Sequence, residues 1–145
     1  MRSITTLAIL VAALALPPAA TAQQPTEKQR VEGVHASIGY ADAIQVGNTV
    51  YESGVVGRGE TLEQQLTSIY AGLTRVLATF GATLKDVVKE TAFTKDMEAL
   101  KAANPVRLRA YAGHAPAATW VQIDRLFMES ALLEIEVIAV PGSGN

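Results

Sequence analysis

The polar side chains best suited to chemistry stand at the ends of predicted strands and helices. We expect Ser53, in the stretch YESG, to end the second strand, while Thr119 follows the loop HAPAA and Asn104 precedes a proline. Two glutamates, Glu134 and Glu136, interrupt an otherwise apolar run near the C-terminus. Carboxylates, hydroxyls and amides of this kind position water or a small polar ligand. These residues indicate a small pocket, and ordinary solvated or ion-paired strand glutamates are the other interpretation.

The familiar signatures of nucleophilic, metal and phosphate sites are absent from the sequence. It contains no cysteine, and neither of its two histidines, His35 and His114, belongs to a metal-binding pattern. No GxSxG, P-loop or GxGxxG motif occurs. We therefore expect no metal and no cofactor, and we expect His114 to be a solvated loop residue. The net charge of −2, without any lysine or arginine cluster, argues against a nucleic-acid partner.

Residues 1–22 have the layout of a secretory signal peptide. Arg2 is the only charge before Glu27, and a short apolar core is followed by prolines and the small residues ATA. The apolar core is shorter than the roughly 20 residues that span a bilayer. We predict cleavage after Ala22 and a periplasmic or secreted protein without stable membrane association, and the alternative is an uncleaved N-terminal anchor.

Hydrophobic spacing predicts the element order ββαβαββ in a single domain over residues 34–145, after a flexible polar lead-in over 23–33. We expect Gly47-Asn48 to turn a hairpin and Pro105 to interrupt the second helix near Asn104. In so short a chain the helices must cover one face of a sheet, which predicts a two-layer α+β fold. The elements after the hairpin are expected at 60–80 (helix), 87–94 (strand), 95–113 (helix), Thr119–Ile123 (strand) and Leu132–Val140 (strand).

Four stretches, in order and correctly spaced, carry a family resemblance: GYADAIQVGNTVYESG, GATLKDVVKETAFTKDM, PAATWV and LEIEVIA. Together they resemble the RidA (YjgF) family of reactive intermediate deaminases, also described as L-PSP endoribonuclease-like. The resemblance implies a chorismate-mutase-like fold with the helices on one face of a mixed sheet. It also implies a homotrimer whose small-molecule pockets lie between neighbouring subunits.

The resemblance assigns pocket roles to residues of this chain. Tyr40, Ser53, Gly54 and Asn104 match pocket positions of the family, and Thr119 follows its anchor position. The first glutamate of EIE, Glu134, matches the residue that helps to position the attacking water in deaminating members. We therefore expect Glu134 to be the catalytic residue if the protein is an enzyme.

One departure from the family pattern concerns charge. The family motif reads proline-alanine-arginine-serine, and here it reads PAAT, with Ala118 at the arginine position. In active members that arginine holds the substrate carboxylate, because a guanidinium offers a bidentate fork. Losing such a contact costs roughly 1.5–3 kcal/mol. Trp120 shares a strand face with Ala118, so its indole either fills the vacated space or packs at a subunit contact.

The sequence thus predicts an exported RidA-family protein whose pocket binds a small molecule without standard 2-imino acid deaminase activity. An enamine or imine deaminase with another anchor, and Glu134 positioning water, is the alternative. Arg107 and Arg109, on the second helix, are the arginines that could supply another anchor, although solvated surface arginines are the simpler interpretation. Arg125 lies seven residues beyond Ala118, too far along the chain to replace an arginine there directly. A non-catalytic interaction module and a ribonuclease are weaker alternatives.

Export gives a first testable prediction. In protein purified from the native host, mass spectrometry should find an N-terminus at or near Gln23, because signal peptidase cleaves after small residues such as those ending at Ala22. A full-length chain that retains Met1 in the cytoplasm would contradict export.

Overall fold

A computed structural model describes residues 28–31 and 36–144. The predicted signal peptide and the first part of the lead-in lie outside these residues. Two helices pack against one face of a six-stranded sheet, which confirms the α+β prediction. The elements are β1 (Lys28–Val31), β2 (Ala43–Val46), β3 (Thr49–Val56), α1 (Leu62–Ala78), β4 (Val87–Thr94), α2 (Met97–Tyr111), β5 (Ala117–Gln122) and β6 (Leu133–Ala139).

The strands lie in the order β1-β2-β3-β6-β4-β5. Among them only β4 and β5 are parallel, because α2 carries the chain from the end of one to the start of the other. The sheet has one strand more than the predicted order. Strand β1 lies within the segment expected to be a flexible lead-in and pairs with β2.

The first hairpin and helix α1 follow the sequence pattern closely. Gly47, with φ of 60°, turns the chain between β2 and β3, a conformation that glycine adopts without strain. Thr61 caps α1 by accepting a hydrogen bond from the backbone N–H of Gln64, whose side chain in turn accepts from the Thr61 N–H. The predicted helix over 60–80 is thus confirmed, with its ends two residues inside the expected ones.

Helix α2 departs from the prediction, because Pro105 lies inside a continuous helix and does not interrupt it. Proline removes the N–H that would bond to the carbonyl of Lys101. Both Pro105 and Lys101 are exposed, so water can satisfy this carbonyl. The buried side of the helix, which includes Leu100 and Val106, keeps it on the sheet.

The two faces of the sheet differ in their environment. In the central strands, residues that point toward the helices are buried, as in the β6 pattern Leu133, Ile135 and Val137. The other face is uncovered within the described chain, and it carries Tyr51 at 49% exposure and the half-exposed Ile138. Within the described residues no helix is long and apolar enough to cross a membrane.

Candidate functional site

Glu134 lies on the uncovered face of the sheet, directly over Gly54. A β-bulge between Glu52 and Val55 removes Ser53 and Gly54 from regular pairing with β6. A Cβ atom at Gly54 would stand only 1.8 Å from Oε1 of Glu134, so only glycine leaves room for this carboxylate. Ser53 therefore sits at a bulge inside β3, and the expectation that it ends the strand is wrong.

Tyr40 approaches the same place from the segment before β2. Its side chain is 40% exposed, and burial raises its pKa, with further contributions from the negative charges of Glu134 and Asp42. Ser53 donates a hydrogen bond from Oγ to the carbonyl of Ala41 at 2.7 Å, which fastens this segment to β3. Tyr40, Ser53, Gly54 and Glu134 thus form one cluster, the sheet-face group.

The buried side chain of Gln65 holds the loop that leads into Glu134. Its Oε1 accepts from the backbone N–H of Leu132 at 2.8 Å, and its Nε2 donates to the carbonyls of Gly59 and Ser130, each at 3.0 Å. Because Gln65 belongs to α1, the start of β6 is fixed to the helix layer. This clamp was not predicted, since its partners are distant in sequence.

On the helix side of the sheet, Glu90 is the centre of a buried polar network. Its Oε1 accepts from Nε of Arg107 at 2.8 Å, and its Oε2 accepts from the hydroxyls of Tyr70 at 2.9 Å and Tyr111 at 2.8 Å. Glu90 is completely buried. Burial first, and then the Glu90 charge, raises the pKa of both tyrosine hydroxyls, which keeps them protonated donors.

Arg107 is therefore not the solvated helix residue that was expected. Its side chain is only 12% exposed, and its guanidinium lies over the rings of Tyr111, at 5.0 Å, and Trp120, at 5.8 Å. Burial lowers its pKa, but the hydrogen bond and charge of Glu90 outweigh burial and raise it. By contrast, Arg109 and Arg125 are exposed, as expected.

Between α2 and β5 lies a narrow cleft, the helix-side cleft. Five residues with polar groups line it: Tyr70, Glu90, Asn104, Arg107 and Trp120. Ala118 is exposed, faces the same side as Trp120, and pairs in register with Glu90. The site of the missing arginine is therefore next to a buried carboxylate that already has its own arginine.

The sequence-predicted site residues do not converge at one place in the described chain. The sheet-face group is on one side of the sheet, and Asn104, Ala118 and Trp120 are on the other. Thr119 points to the uncovered face and accepts a hydrogen bond from Nζ of Lys89. Trp120 packs against α2 of its own chain, where it contacts the core.

A second buried carboxyl group, Glu52, lies under the sheet on its helix side. It is 4% exposed, and neither carboxyl oxygen has a hydrogen-bond partner among the described residues. Burial, and secondarily the charge of Asp42, raises its pKa to about 9. The group is therefore protonated at neutral pH.

His114 also departs from expectation. Its Nε2 lies 2.6 Å from the carbonyl oxygen of Val87, and its ring contacts Tyr111 edge-on, so it fastens the end of α2 to β4 rather than standing in solvent. Across the described residues, histidine, aspartate and glutamate side chains form no group of three that could hold a metal ion.

Comparison with known proteins identifies the family. The sequence model of the Endoribonuclease L-PSP family matches residues 31–141. The chain therefore belongs to this family, which is the RidA (YjgF) family that its motifs resemble.

Individual relatives agree with this assignment. A RutC family protein of Pyrococcus abyssi is 30% identical over 69% of this chain and 84% of its own length. The 2-iminobutanoate/2-iminopropanoate deaminase of Dermatophagoides farinae is 31% identical over 70% of this chain and 84% of its own. A crystal structure of a YjgF/YER057c/UK114 family member from Mycobacterium tuberculosis superimposes with a TM-score of 0.75 at 25% identity, covering 79% and 99% of the two chains.

The buried Glu90 network gives a prediction about stability. Arg107→Ala should lower the free energy of unfolding by about 3–5 kcal/mol, because it leaves a buried carboxylate without its cation. Lys101→Ala is the control on the same helix, since it breaks only the exposed pair with Glu98 and should cost less than about 1 kcal/mol. Urea unfolding of both variants measures the difference, and equal losses would contradict the role of Arg107.

Glu52 predicts a dependence of stability on pH. Its pKa is about 9 when folded against 4.5 in the reference state, so between these values the folded protein binds one more proton. Stability should fall as the pH rises through this window, by about 1.4 kcal/mol for each pH unit at most. Glu52→Gln should remove the fall, because its side chain stays neutral.

Chemical denaturation at a series of pH values checks this, with Glu136→Gln, at an exposed position of the neighbouring strand, as the control. The stability gained by Glu52→Gln should grow with pH. Parallel pH profiles for wild type and Glu52→Gln would show that the buried carboxyl does not hold its proton.

Proposed function

We propose that this protein is a small-molecule-binding member of the RidA family that lacks standard 2-imino acid deaminase activity. Family membership and the placement of Glu134 over Gly54 support a family-type pocket. A relative of this chain is named a 2-iminobutanoate/2-iminopropanoate deaminase, so the reaction of that relative is the natural comparison. The proposal is that this chain keeps the pocket and has lost the carboxylate anchor.

The main support for the proposal is the ion pair of Arg107 and Glu90 beside Ala118. A methyl group there offers no hydrogen bond to a substrate carboxylate. The nearby guanidinium of Arg107 cannot replace the missing one freely, because Glu90 already neutralises it at 2.8 Å. A substrate carboxylate would approach a neutral ion pair and be repelled by Glu90. The lost contact, roughly 1.5–3 kcal/mol, corresponds to about a ten- to hundredfold weaker interaction.

Assembly as a homotrimer is part of the proposal. The sheet-face group and the helix-side cleft lie on opposite sides of one sheet, so a single subunit does not bring them together. The uncovered face carries exposed apolar side chains, including Tyr51 and Val121, of the kind that a partner usually buries. In the proposed trimer, copies of the chain cover this face, and Glu134 of one subunit completes a pocket with the cleft of its neighbour.

We also propose that the pocket acts outside the cytoplasm. This rests on the signal-peptide pattern of residues 1–22 alone. An exported pocket meets ligands other than the imines released by cytoplasmic amino-acid metabolism, which agrees with the loss of the anchor.

Hydrolysis of 2-iminopropanoate is the direct test. The purified protein, starting at Gln23, should hydrolyse it about ten- to hundredfold more slowly than a deaminase that has the anchor, because one charge-assisted contact is missing. Ala118→Arg should increase the rate, since it installs a guanidinium at the family position. Ala117→Arg, which places the same charge on the opposite strand face, is the matched control and should not.

Rapid hydrolysis by the wild type that Glu134→Ala abolishes would overturn the proposal. That result would favour the alternative, an imine deaminase with another anchor. Loss of the same activity in Arg107→Lys, at unchanged stability, would then identify Arg107 as this anchor.

A further inference from the structure

Two residues that line the helix-side cleft, Trp120 and Asn104, each carry a buried polar atom without a hydrogen-bond partner among the described residues: Nε1 of Trp120 and Oδ1 of Asn104. The indole N–H is a donor and the amide oxygen is an acceptor. Leaving such a group unpaired destabilises the folded protein, and native proteins seldom retain two in one place without a reason. Because both atoms belong to residues of one cleft, they indicate a bound ligand that supplies one hydrogen-bond acceptor and one donor.

The charged groups that line the cleft restrict the charge of this ligand. Arg107 and Glu90 neutralise each other, and both Glu90 oxygens are already engaged by Arg107, Tyr70 and Tyr111. A carboxylate would add a negative charge beside the buried Glu90, and a cation would compete with Arg107. Burying an unpaired charge is far more costly than burying a neutral polar group. The ligand is therefore uncharged.

We infer that the helix-side cleft binds a small uncharged amide, either a primary carboxamide or a lactam. The carbonyl oxygen accepts from the Trp120 indole N–H, and the amide N–H donates to Oδ1 of Asn104. The remaining walls of the cleft are apolar and suit the short alkyl part of such a ligand: Leu66, Ala92, Leu100 and Ile135. This inference rests on the proposed function, because it names the ligand class of the same pocket.

The dimensions of the cleft limit ligand size and mode of entry. It is too narrow in this conformation to admit even a water molecule, so ligand entry requires a lining side chain to move. Trp120 is the side chain placed to do so, since it is only half-buried and belongs to β5, an edge strand with one neighbour. Binding therefore changes the surroundings of the indole.

Tryptophan fluorescence tests the inference directly, because Trp120 is the only tryptophan in the sequence. The purified protein, starting at Gln23, is titrated with propanamide and with 2-pyrrolidinone, and N-acetyltryptophanamide in the same solutions corrects for solvent effects. Both ligands should give a saturable change. 1-Methyl-2-pyrrolidinone, which lacks the N–H, and propanoate, which is charged, should bind about tenfold more weakly or not at all.

A variant separates this site from general solvent effects. Asn104→Leu, which removes the acceptor, should abolish the preference for 2-pyrrolidinone over its N-methyl form. Lys101→Ala, an exposed change on the same helix, should leave the preference intact. Circular dichroism and thermal unfolding establish that each variant is folded before it is titrated.

The negative results that would overturn the amide inference can be told apart from those that would overturn the proposed function. No saturable change with either amide, equal binding of the N-methylated lactam, or tighter binding of propanoate would each overturn the inference. If 2-iminopropanoate hydrolysis is slow at the same time, only the ligand class is wrong. Rapid hydrolysis of that imine would instead overturn the proposed function itself, whatever the amide titration gives.

Discussion

A fully buried carboxylate must be compensated inside the protein, and Glu90 organises the helix layer around this requirement. Its hydrogen-bond donors come from different elements: Tyr70 from α1, and Arg107 and Tyr111 from α2. Removing any of them would leave the buried carboxylate with one hydrogen-bond donor fewer, and removing Arg107 would also take away its counter-charge. The network therefore fixes both helices against β4, and through the contact of Arg107 with Trp120 it also fixes the edge strand β5.

The same network determines the charge of the neighbouring helix-side cleft. Ala118 faces Glu90 across the β4–β5 ladder, so the family's anchor position is next to a carboxylate that has its own cation. Arginine at position 118 would bring a second cation to a pair that is already neutral. The alanine and the internal ion pair are thus mutually consistent, and together they leave a cleft that is polar but uncharged. Glu134, on the other face, keeps the room that Gly54 provides.

The sequence predicted the elements well, because local patterns define them. The periodicity of α1, the alternation in β4 and the turn at Gly47 each depend on neighbouring residues, and the structure confirms them. The predicted interruption of α2 at Pro105 was wrong, because the effect of this proline depends on whether the carbonyl of Lys101 faces water. Strand β1 was not predicted, because a short polar edge strand has little hydrophobic pattern.

The candidate site was only partly predictable. Family motifs located Glu134 and Gly54, whose proximity the structure adds. In the sequence Glu90 looks like an ordinary strand residue. Its role was not predicted, because its partner Arg107 is on another element and contacts it only when α2 packs over the sheet. The unpaired atoms of Trp120 and Asn104 are likewise products of tertiary packing, which no local pattern encodes.

The ion pair with Glu90 makes the guanidinium of Arg107 unavailable to a ligand carboxylate. Calorimetric titration of the purified protein, starting at Gln23, with 2-oxobutanoate, the stable keto analogue of a 2-imino acid, tests it most directly. We expect no binding at millimolar concentration in the wild type and measurable binding in Ala118→Arg. Tight binding to the wild type that disappears in Arg107→Lys would instead show that Arg107 is free to act as the anchor despite its ion pair with Glu90.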